Sequence, residues 1–208
     1  MFEPARFALF VGACWALILA PGPDMLYVIT RGMAHGRRAG ILSALGVICG
    51  TLVHTTAAAF GLTLIFQTSA AAFMVVKYAG AVYLVYLGLK SWRDKSSFSV
   101  QPQLLATNSR TLFGQGVLSN VLNPKVAIFF LAFLPQFVDK ASGHVTQQMV
   151  ALGLTFAFFG LCFLLVVGYS AGAIGTWLTH RPRFTTILQR LASGILVALG
   201  LRLALTER

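Results

Sequence analysis

Two ionisable side chains lie inside apolar stretches of the sequence, and each follows a proline. Asp24 comes after Pro21-Gly22-Pro23, and Lys125 comes after Asn123-Pro124. If these stretches cross a bilayer, each unpaired charge costs at least about 2.5 kcal/mol on insertion scales. We therefore predict that the two charges pair with each other or hold a ligand that carries both signs.

The prolines beside these charges predict breaks in two helices. Proline lacks the N–H donor and clashes with the carbonyl four residues earlier, so Pro21 frees the carbonyl of Leu17 and Pro124 frees that of Asn120. Pro23, two residues after Pro21, frees the carbonyl of Leu19 in the same way. Each freed carbonyl needs a new hydrogen-bond donor.

The residue before each proline predicts the start of a second half-helix. Proline is favoured in the first turn of a helix, and Gly or Asn is favoured as the N-cap, which is the order of Gly22 before Pro23 and Asn123 before Pro124. The N–H groups and the positive dipole end of such a half-helix attract carboxylates. The two breaks are therefore the predicted ligand site.

Composition identifies the setting of these breaks as a membrane. The chain has 208 residues, of which 57% are hydrophobic and 10% charged, with a mean hydropathy of +0.80. Soluble domains are about half apolar and a quarter charged. The net charge of +11 resides mostly between the apolar stretches. We interpret it as a signal for orientation in the lipid bilayer and expect no nucleic-acid partner.

The apolar stretches predict a single all-α membrane domain over residues 1–208. A transmembrane helix needs about 20 apolar residues. On that measure six spans are predicted, at about 7–30, 41–66, 72–90, 112–135, 147–170 and 186–205. The polar segment 91–111 divides them into a first repeat, 1–90, and a second repeat, 112–208.

The two halves resemble each other. Residues 84–90 and 196–202 share five identities in seven, and the two proline breaks fall at corresponding places of the first and fourth spans. Three spans per half force the second copy to insert upside down. We therefore predict six transmembrane helices in two inverted three-helix repeats, with helices 1 and 4 broken, which is the pattern of inverted-repeat transporters.

The basic residues between spans predict the orientation. Ten lie on the side that carries the 91–111 linker and five on the other side. Since cytoplasmic loops carry the excess of Lys and Arg, the linker should be cytoplasmic. Both termini should then be periplasmic, if the protein lies in a bacterial inner membrane.

Several motifs together resemble the lysine-exporter superfamily, in particular its homoserine/threonine-efflux branch (LysE/RhtB). They are Ala20-Pro21-Gly22-Pro23-Asp24, Gly36-Arg37-Arg38-Ala39-Gly40, Asn123-Pro124-Lys125 and Leu134-Pro135-Gln136-Phe137. The resemblance implies export of amino acids or close derivatives from the bacterial cytoplasm, of the threonine, homoserine and homoserine-lactone type, with neutral amino acids favoured. It also implies exchange for protons, no cofactor and no enzymatic activity.

The residues that we predict for substrate binding or proton coupling surround the two breaks. They are Pro21, Gly22, Pro23, Asp24, Asn120, Asn123, Pro124, Lys125 and His54. We expect a substrate carboxylate at Asn123 and Lys125, and a substrate ammonium at Asp24 and the freed carbonyls. His54 either relays protons or is a core histidine, and the sequence leaves both open.

Two other functions are weighed against export of amino acids. A heavy-metal exporter would use Cys14, Cys49 and His54, since soft metals favour such ligands. An intramembrane enzyme is disfavoured because the predicted spans offer one Asp and one His, too few for a carboxylate pair or a histidine-rich metal site. The sequence fixes neither the substrate nor the oligomeric state, and a homodimer is compatible with it.

Overall fold

The computed structural model describes residues 3–62, 70–93, 108–139, 142–180 and 182–205, and these ranges are almost entirely helical. The helices are α1 Pro4–Leu19, α2 Pro23–His35, α3 Arg37–Ala57, α4 Ala70–Arg93, α5 Ser109–Val121, α6 Pro124–Ile128, α7 Val145–Tyr169, α8 Ala171–His180 and α9 Pro182–Leu205. A π-helical turn, Ala58–Leu62, extends α3. A π-helical turn, Phe129–Phe133, and a 3₁₀ turn, Leu134–Phe137, extend α6.

Up to four membrane spans are supported by length and composition among the described residues. Two single helices qualify, Arg37–Gly61 and Val145–Tyr169, each of 25 residues. Two bent pairs qualify if each counts as one span, α1 with α2 and α5 with the helical segment Pro124–Phe137. These match the predicted first, second, fourth and fifth spans, while the six-helix, two-repeat arrangement stays a prediction.

The two predicted breaks are confirmed. The chain bends by 48° between α1 and α2 and by 48° between α5 and the segment Pro124–Phe137. Gly22 is the N-cap of α2 and Asn123 is the N-cap of α6, each with proline in the first turn. Both half-helices therefore begin where the sequence predicts.

The predicted third and sixth spans lie within α4 and α9, which pack against each other. A Cβ atom at Gly88 would lie 2.8 Å from the carbonyl oxygen of Ser193, and one at Gly200 would lie 2.8 Å from that of Ala81. These two glycines occupy the same position in the repeated segments 84–90 and 196–202. Each lets the opposite helix approach its backbone.

Helix α8 lies between the predicted fifth and sixth spans, where the sequence predicts only a connection. Its 10 residues are too few for a span, and its glycines and alanines weaken the apolar signal. Gly175 packs directly under Met33 of α2.

The described ends of the 91–111 linker are helical, since α4 extends to Arg93 and α5 begins at Ser109. Residues 94–107 of that linker, and residues 63–66 of the predicted second span, lie outside the described residues.

Two apolar clusters form the core. The first is rich in phenylalanine and joins α1, α7 and the turns after α6, with Phe10, Phe129, Phe130, Phe133 and Phe156 at 5% exposure or less. The second joins α2, α3 and α7 and includes Val28, Val47 and Val167. The two helix breaks lie between these clusters.

Candidate functional site

The carboxylate of Asp24 lies at the start of α2 and reaches across to the other break. It accepts hydrogen bonds from Ser119 Oγ at 3.0 Å, Asn120 Nδ2 at 2.7 Å and Asn123 Nδ2 at 2.9 Å. An acidic group in the first turn also interacts favourably with the helix dipole. The half-buried negative charge therefore has three donors from the α5–α6 break.

A second contact fixes the orientation of the Asn123 amide. Asn123 Oδ1 accepts the N–H of Lys125 at 3.0 Å, as an N-cap should, so its Nδ2 is directed to Asp24. Asn120 Oδ1 lies 3.4 Å from Thr51 Oγ1, and the single hydrogen of that hydroxyl is shared with the carbonyl oxygen of Val47 at the same distance. The two amides are 1% and 2% exposed, which makes their hydrogen bonds to Asp24 energetically important.

Lys125 lies at the start of α6 and reaches across in the opposite direction. Its Nζ donates to the carbonyl oxygens of Leu17 at 3.0 Å and Ala20 at 2.8 Å. The Leu17 carbonyl is one of those that the sequence predicts to be freed by proline. Gly22 allows this approach, because a Cβ atom there would lie 3.1 Å from Lys125 Nζ.

The sequence predicts two alternatives for Asp24 and Lys125, mutual pairing or a ligand that carries both signs. Among the described residues, no salt bridge joins these two side chains, and the ligand stays a prediction. Each charge instead binds polar groups that the opposite break exposes, amide donors for Asp24 and carbonyl acceptors for Lys125. These groups would otherwise be buried without partners, at a cost of about 1–3 kcal/mol each.

His54 binds the second carbonyl that proline frees. Its Nε2 lies 3.0 Å from the carbonyl oxygen of Asn120, which in a continuous helix would accept from residue 124. The imidazole also stacks on Phe130 with ring centroids 5.8 Å apart. His54 thus supports the second break from α3.

A cavity of about 50 Å³ lies between the two breaks. Of the nine predicted site residues, five line it: Gly22, Asp24, Asn120, Asn123 and Lys125. The three prolines and His54 do not line it. The prolines act through the backbone geometry that they impose, and His54 acts through Asn120.

The sequence did not identify several residues of this site. Ser119 donates to Asp24, and Thr51 both lines the cavity and contacts Asn120. Thr51 precedes the predicted site residue His54 by three residues, about one helical turn, and that spacing could have identified it, whereas Ser119 carries no distinguishing signal. The wall from α7, with Phe156 and Gly160, has no polar residue that could mark it.

The alternative metal ligands do not come together. No group of three or more His, Cys, Asp or Glu side chains in the described residues is arranged to hold a metal ion. Cys14 is buried in the phenylalanine-rich cluster, and Cys49 is half-buried on α3. Nothing in this arrangement favours heavy-metal export.

Comparison with known proteins gives consistent matches over nearly the whole chain. The family model described as LysE type translocator matches residues 15–207. The uncharacterised membrane protein YrhP of Bacillus subtilis is 31% identical, covering 91% of this chain and 94% of the relative. No solved structure matches.

Two further relatives have names that state a function. The homoserine/homoserine lactone efflux protein of Salmonella typhimurium is 30% identical, covering 90% of each chain. The leucine efflux protein of an Enterobacter species is 26% identical, covering 98% of this chain and 97% of the relative. The chain therefore belongs to the LysE type translocator family, a family of amino-acid efflux transporters.

Proposed function

We propose that this protein exports neutral amino acids or close derivatives from the bacterial cytoplasm in exchange for protons. The observation that carries the proposal is the reciprocal contact between the breaks. Asp24 binds the α5–α6 break, Lys125 binds the α1–α2 break, and both line one cavity. A fixed anion and a fixed cation on one cavity wall are suited to a zwitterion.

In this proposal the substrate replaces contacts that the protein makes with itself. The ammonium of an amino acid binds Asp24, and its carboxylate binds Lys125 in place of the carbonyl oxygens of Leu17 and Ala20. The cavity of about 50 Å³ has room for a few water molecules only, since one water needs at least about 10–15 Å³ on this measure. Substrate entry therefore requires the two breaks to move apart.

Proton exchange is proposed to use Asp24 as well. A carboxylate binds either a substrate ammonium or a proton, and protonation removes the charge that attracts the ammonium. Alternation between these two states at one carboxylate gives antiport with a single shared site. Within the part of the chain that the structure describes, Asp24 is the one acidic side chain that lines the cavity.

The relatives support this choice of substrates. One is named a leucine efflux protein and one a homoserine/homoserine lactone efflux protein, so we propose neutral amino acids of the threonine and homoserine type for this chain, together with homoserine lactone, whose ring carbonyl would take the place of the carboxylate at Lys125. The apolar cavity wall from α7 agrees with neutral side chains.

The proposed membrane arrangement is that of the sequence prediction. Six spans in two inverted repeats lie in the inner membrane, with a cytoplasmic linker at 91–111 and both termini in the periplasm. The reciprocal packing of Gly88 and Gly200 supports the repeat.

The test is transport by purified protein in proteoliposomes with an imposed pH gradient. Labelled leucine, threonine, homoserine and homoserine lactone are offered, and Lys125→Ala and Asp24→Asn are compared with the wild type. We expect Lys125→Ala to abolish transport and Asp24→Asn to lose both substrate transport and its response to the pH gradient, since the amide neither attracts the ammonium nor binds a proton. The matched controls are the exposed charges Lys90→Ala and Glu3→Gln.

Each result bears on a defined part of the proposal. Failure of the wild type to move any of the four compounds would refute the substrate class. Asp24→Asn that transports at the wild-type rate and stays driven by the pH gradient would remove Asp24 as the proton site. The amount of folded protein in each preparation is measured by size-exclusion chromatography, so that lost transport is not confused with lost protein.

A further inference from the structure

The cavity between the breaks is lined by both polar and apolar residues. The polar residues include Asp24, Asn120 and Lys125. The apolar residues from α2, α3 and α7 include Met25, Val47, Ile48, Phe156, Gly160 and Phe163. A zwitterion held by its charged groups at Asp24 and Lys125 can direct its side chain along the apolar wall from α7.

Gly160 is a point on that wall where a side chain is missing. It is buried, and a Cβ atom there would meet a single neighbouring atom, Ile48 Cδ1, at 3.3 Å. The other glycines of α7 differ, since Gly153 packs under Thr55 and Gly168 packs against Gly40 of α3. Gly160 is thus the glycine of α7 that leaves space in the cavity and does not serve a helix contact.

Two aromatic residues flank this space on the same face of α7. Phe156 lies one turn before Gly160, and Phe163 lies one turn after it. The ring of Phe156 is fixed by Phe129 and Phe130, with centroid distances of 5.0 Å and 5.5 Å. The cavity wall beside this fixed ring therefore ends in backbone at Gly160, with the flexible end of Ile48 facing it.

We propose that Gly160 forms the floor of a subsite for the substrate side chain and sets the largest aliphatic side chain that the protein exports. This inference rests on the proposed function and adds the determinant of substrate size. Once the breaks have moved apart, a branched aliphatic side chain such as that of leucine contacts this wall at Phe156 and Gly160, whereas the methyl group of alanine is too short to fill the subsite.

The proposal predicts a change in selectivity when one methyl group is added. A single methylene group in a hydrophobic pocket changes discrimination by about 10–200-fold. Gly160→Ala should therefore lower the ratio of leucine to alanine transport by at least about tenfold. The helix itself should not weaken, because alanine is the better helix former.

A second variant separates crowding of the subsite from other effects. Ile48→Val removes the terminal methyl group that faces Gly160, so the double variant Gly160→Ala with Ile48→Val should recover leucine transport. Gly172→Ala is the matched control, since a Cβ atom there meets nothing within 4 Å and Gly172 lies on α8, outside the cavity.

The measurement is competition between labelled leucine and labelled alanine in proteoliposomes. A lowered leucine-to-alanine ratio in Gly160→Ala, with recovery in the double variant and no change in Gly172→Ala, supports the subsite. An unchanged ratio in Gly160→Ala, or an equal loss of both substrates without recovery, overturns it. If the wild type transports neither compound nor any of the other proposed substrates, the proposed function fails, and this outcome is distinct from failure of the subsite.

Discussion

Asn123 has two roles in this structure, and its substitution separates them. Its Oδ1 caps α6 by accepting the N–H of Lys125 at 3.0 Å, and its Nδ2 donates to the carboxylate of Asp24 at 2.9 Å. Asn123→Ala removes both contacts. Asn123→Ser keeps a good N-cap residue but removes the donor to Asp24.

The two contributions have different sizes. Loss of an N-cap lowers stability by about 0.5–2 kcal/mol, and loss of a hydrogen bond to a charged group by about 1.5–3 kcal/mol. Asn123→Ala should therefore lower the free energy of unfolding by about 2–5 kcal/mol in total. Asn123→Ser should lose only the second part, about 1.5–3 kcal/mol.

Asn108 provides a matched control within the same chain. It is an exposed N-cap of α5, and its Oδ1 accepts from Thr111 N at 2.8 Å and Thr111 Oγ1 at 2.9 Å. Because it contacts no buried charge, Asn108→Ala should lose only the capping contribution, about 0.5–2 kcal/mol. The variants are compared by denaturant unfolding of the purified protein in detergent micelles.

The coupling with Asp24 gives the decisive comparison. In the Asp24→Ala background, Asn123→Ser should have almost no further effect, since the acceptor is already absent. Full additivity of the two substitutions, or equal losses for Asn123→Ala and Asn108→Ala, would show that the contact between Asn123 and Asp24 contributes nothing and would refute the reciprocal arrangement of the breaks.

Two further predictions concern His54 and the topology. His54→Phe keeps an aromatic ring beside Phe130 but removes the hydrogen bond to the Asn120 carbonyl. The free energy of unfolding in micelles should therefore fall by about 1 kcal/mol, while transport should stay driven by the pH gradient. A stable His54→Phe variant whose transport no longer responds to the pH gradient would make His54 the proton relay. Reporter fusions after Arg208 and within the 91–111 linker should give opposite signals, with the linker cytoplasmic, and the reverse pattern would overturn the orientation.

The local features of both breaks were predictable because proline acts locally. The order of Gly22 before Pro23 and of Asn123 before Pro124 contains the information for a helix end and a new N-cap, and both appear at the predicted residues. The freed carbonyl of Leu17 also follows from chain geometry alone. The hydrogen bond that Lys125 donates to this carbonyl does not follow from local chain geometry, because it joins residues from the two halves of the chain.

The partners of the two charges could not be predicted, because they depend on how the halves approach. From the sequence, Asp24 and Lys125 are two buried charges that either pair with each other or hold a ligand that carries both signs. The folded chain offers each charge neutral dipoles that proline and the N-caps have already exposed. Satisfying these dipoles and the charges together leaves fewer buried groups unpaired than an ion pair would, since an ion pair leaves the amides and carbonyls without partners.

This arrangement connects the proposed transport cycle to the contacts between the halves. Asp24 and Lys125 each hold the opposite break, so a zwitterion that binds both residues must displace hydrogen bonds that join α1 to α6 and α2 to α5. A ligand shifts a conformational equilibrium only through its different affinity for the two states. In the proposed cycle that difference arises directly, because the atoms proposed to bind the substrate are those that hold the breaks together in its absence. A proton on Asp24 weakens only the contacts of Asp24 with α5, whereas the substrate would displace the contacts of both Asp24 and Lys125. The proton and the substrate therefore have different effects on the contacts between the breaks.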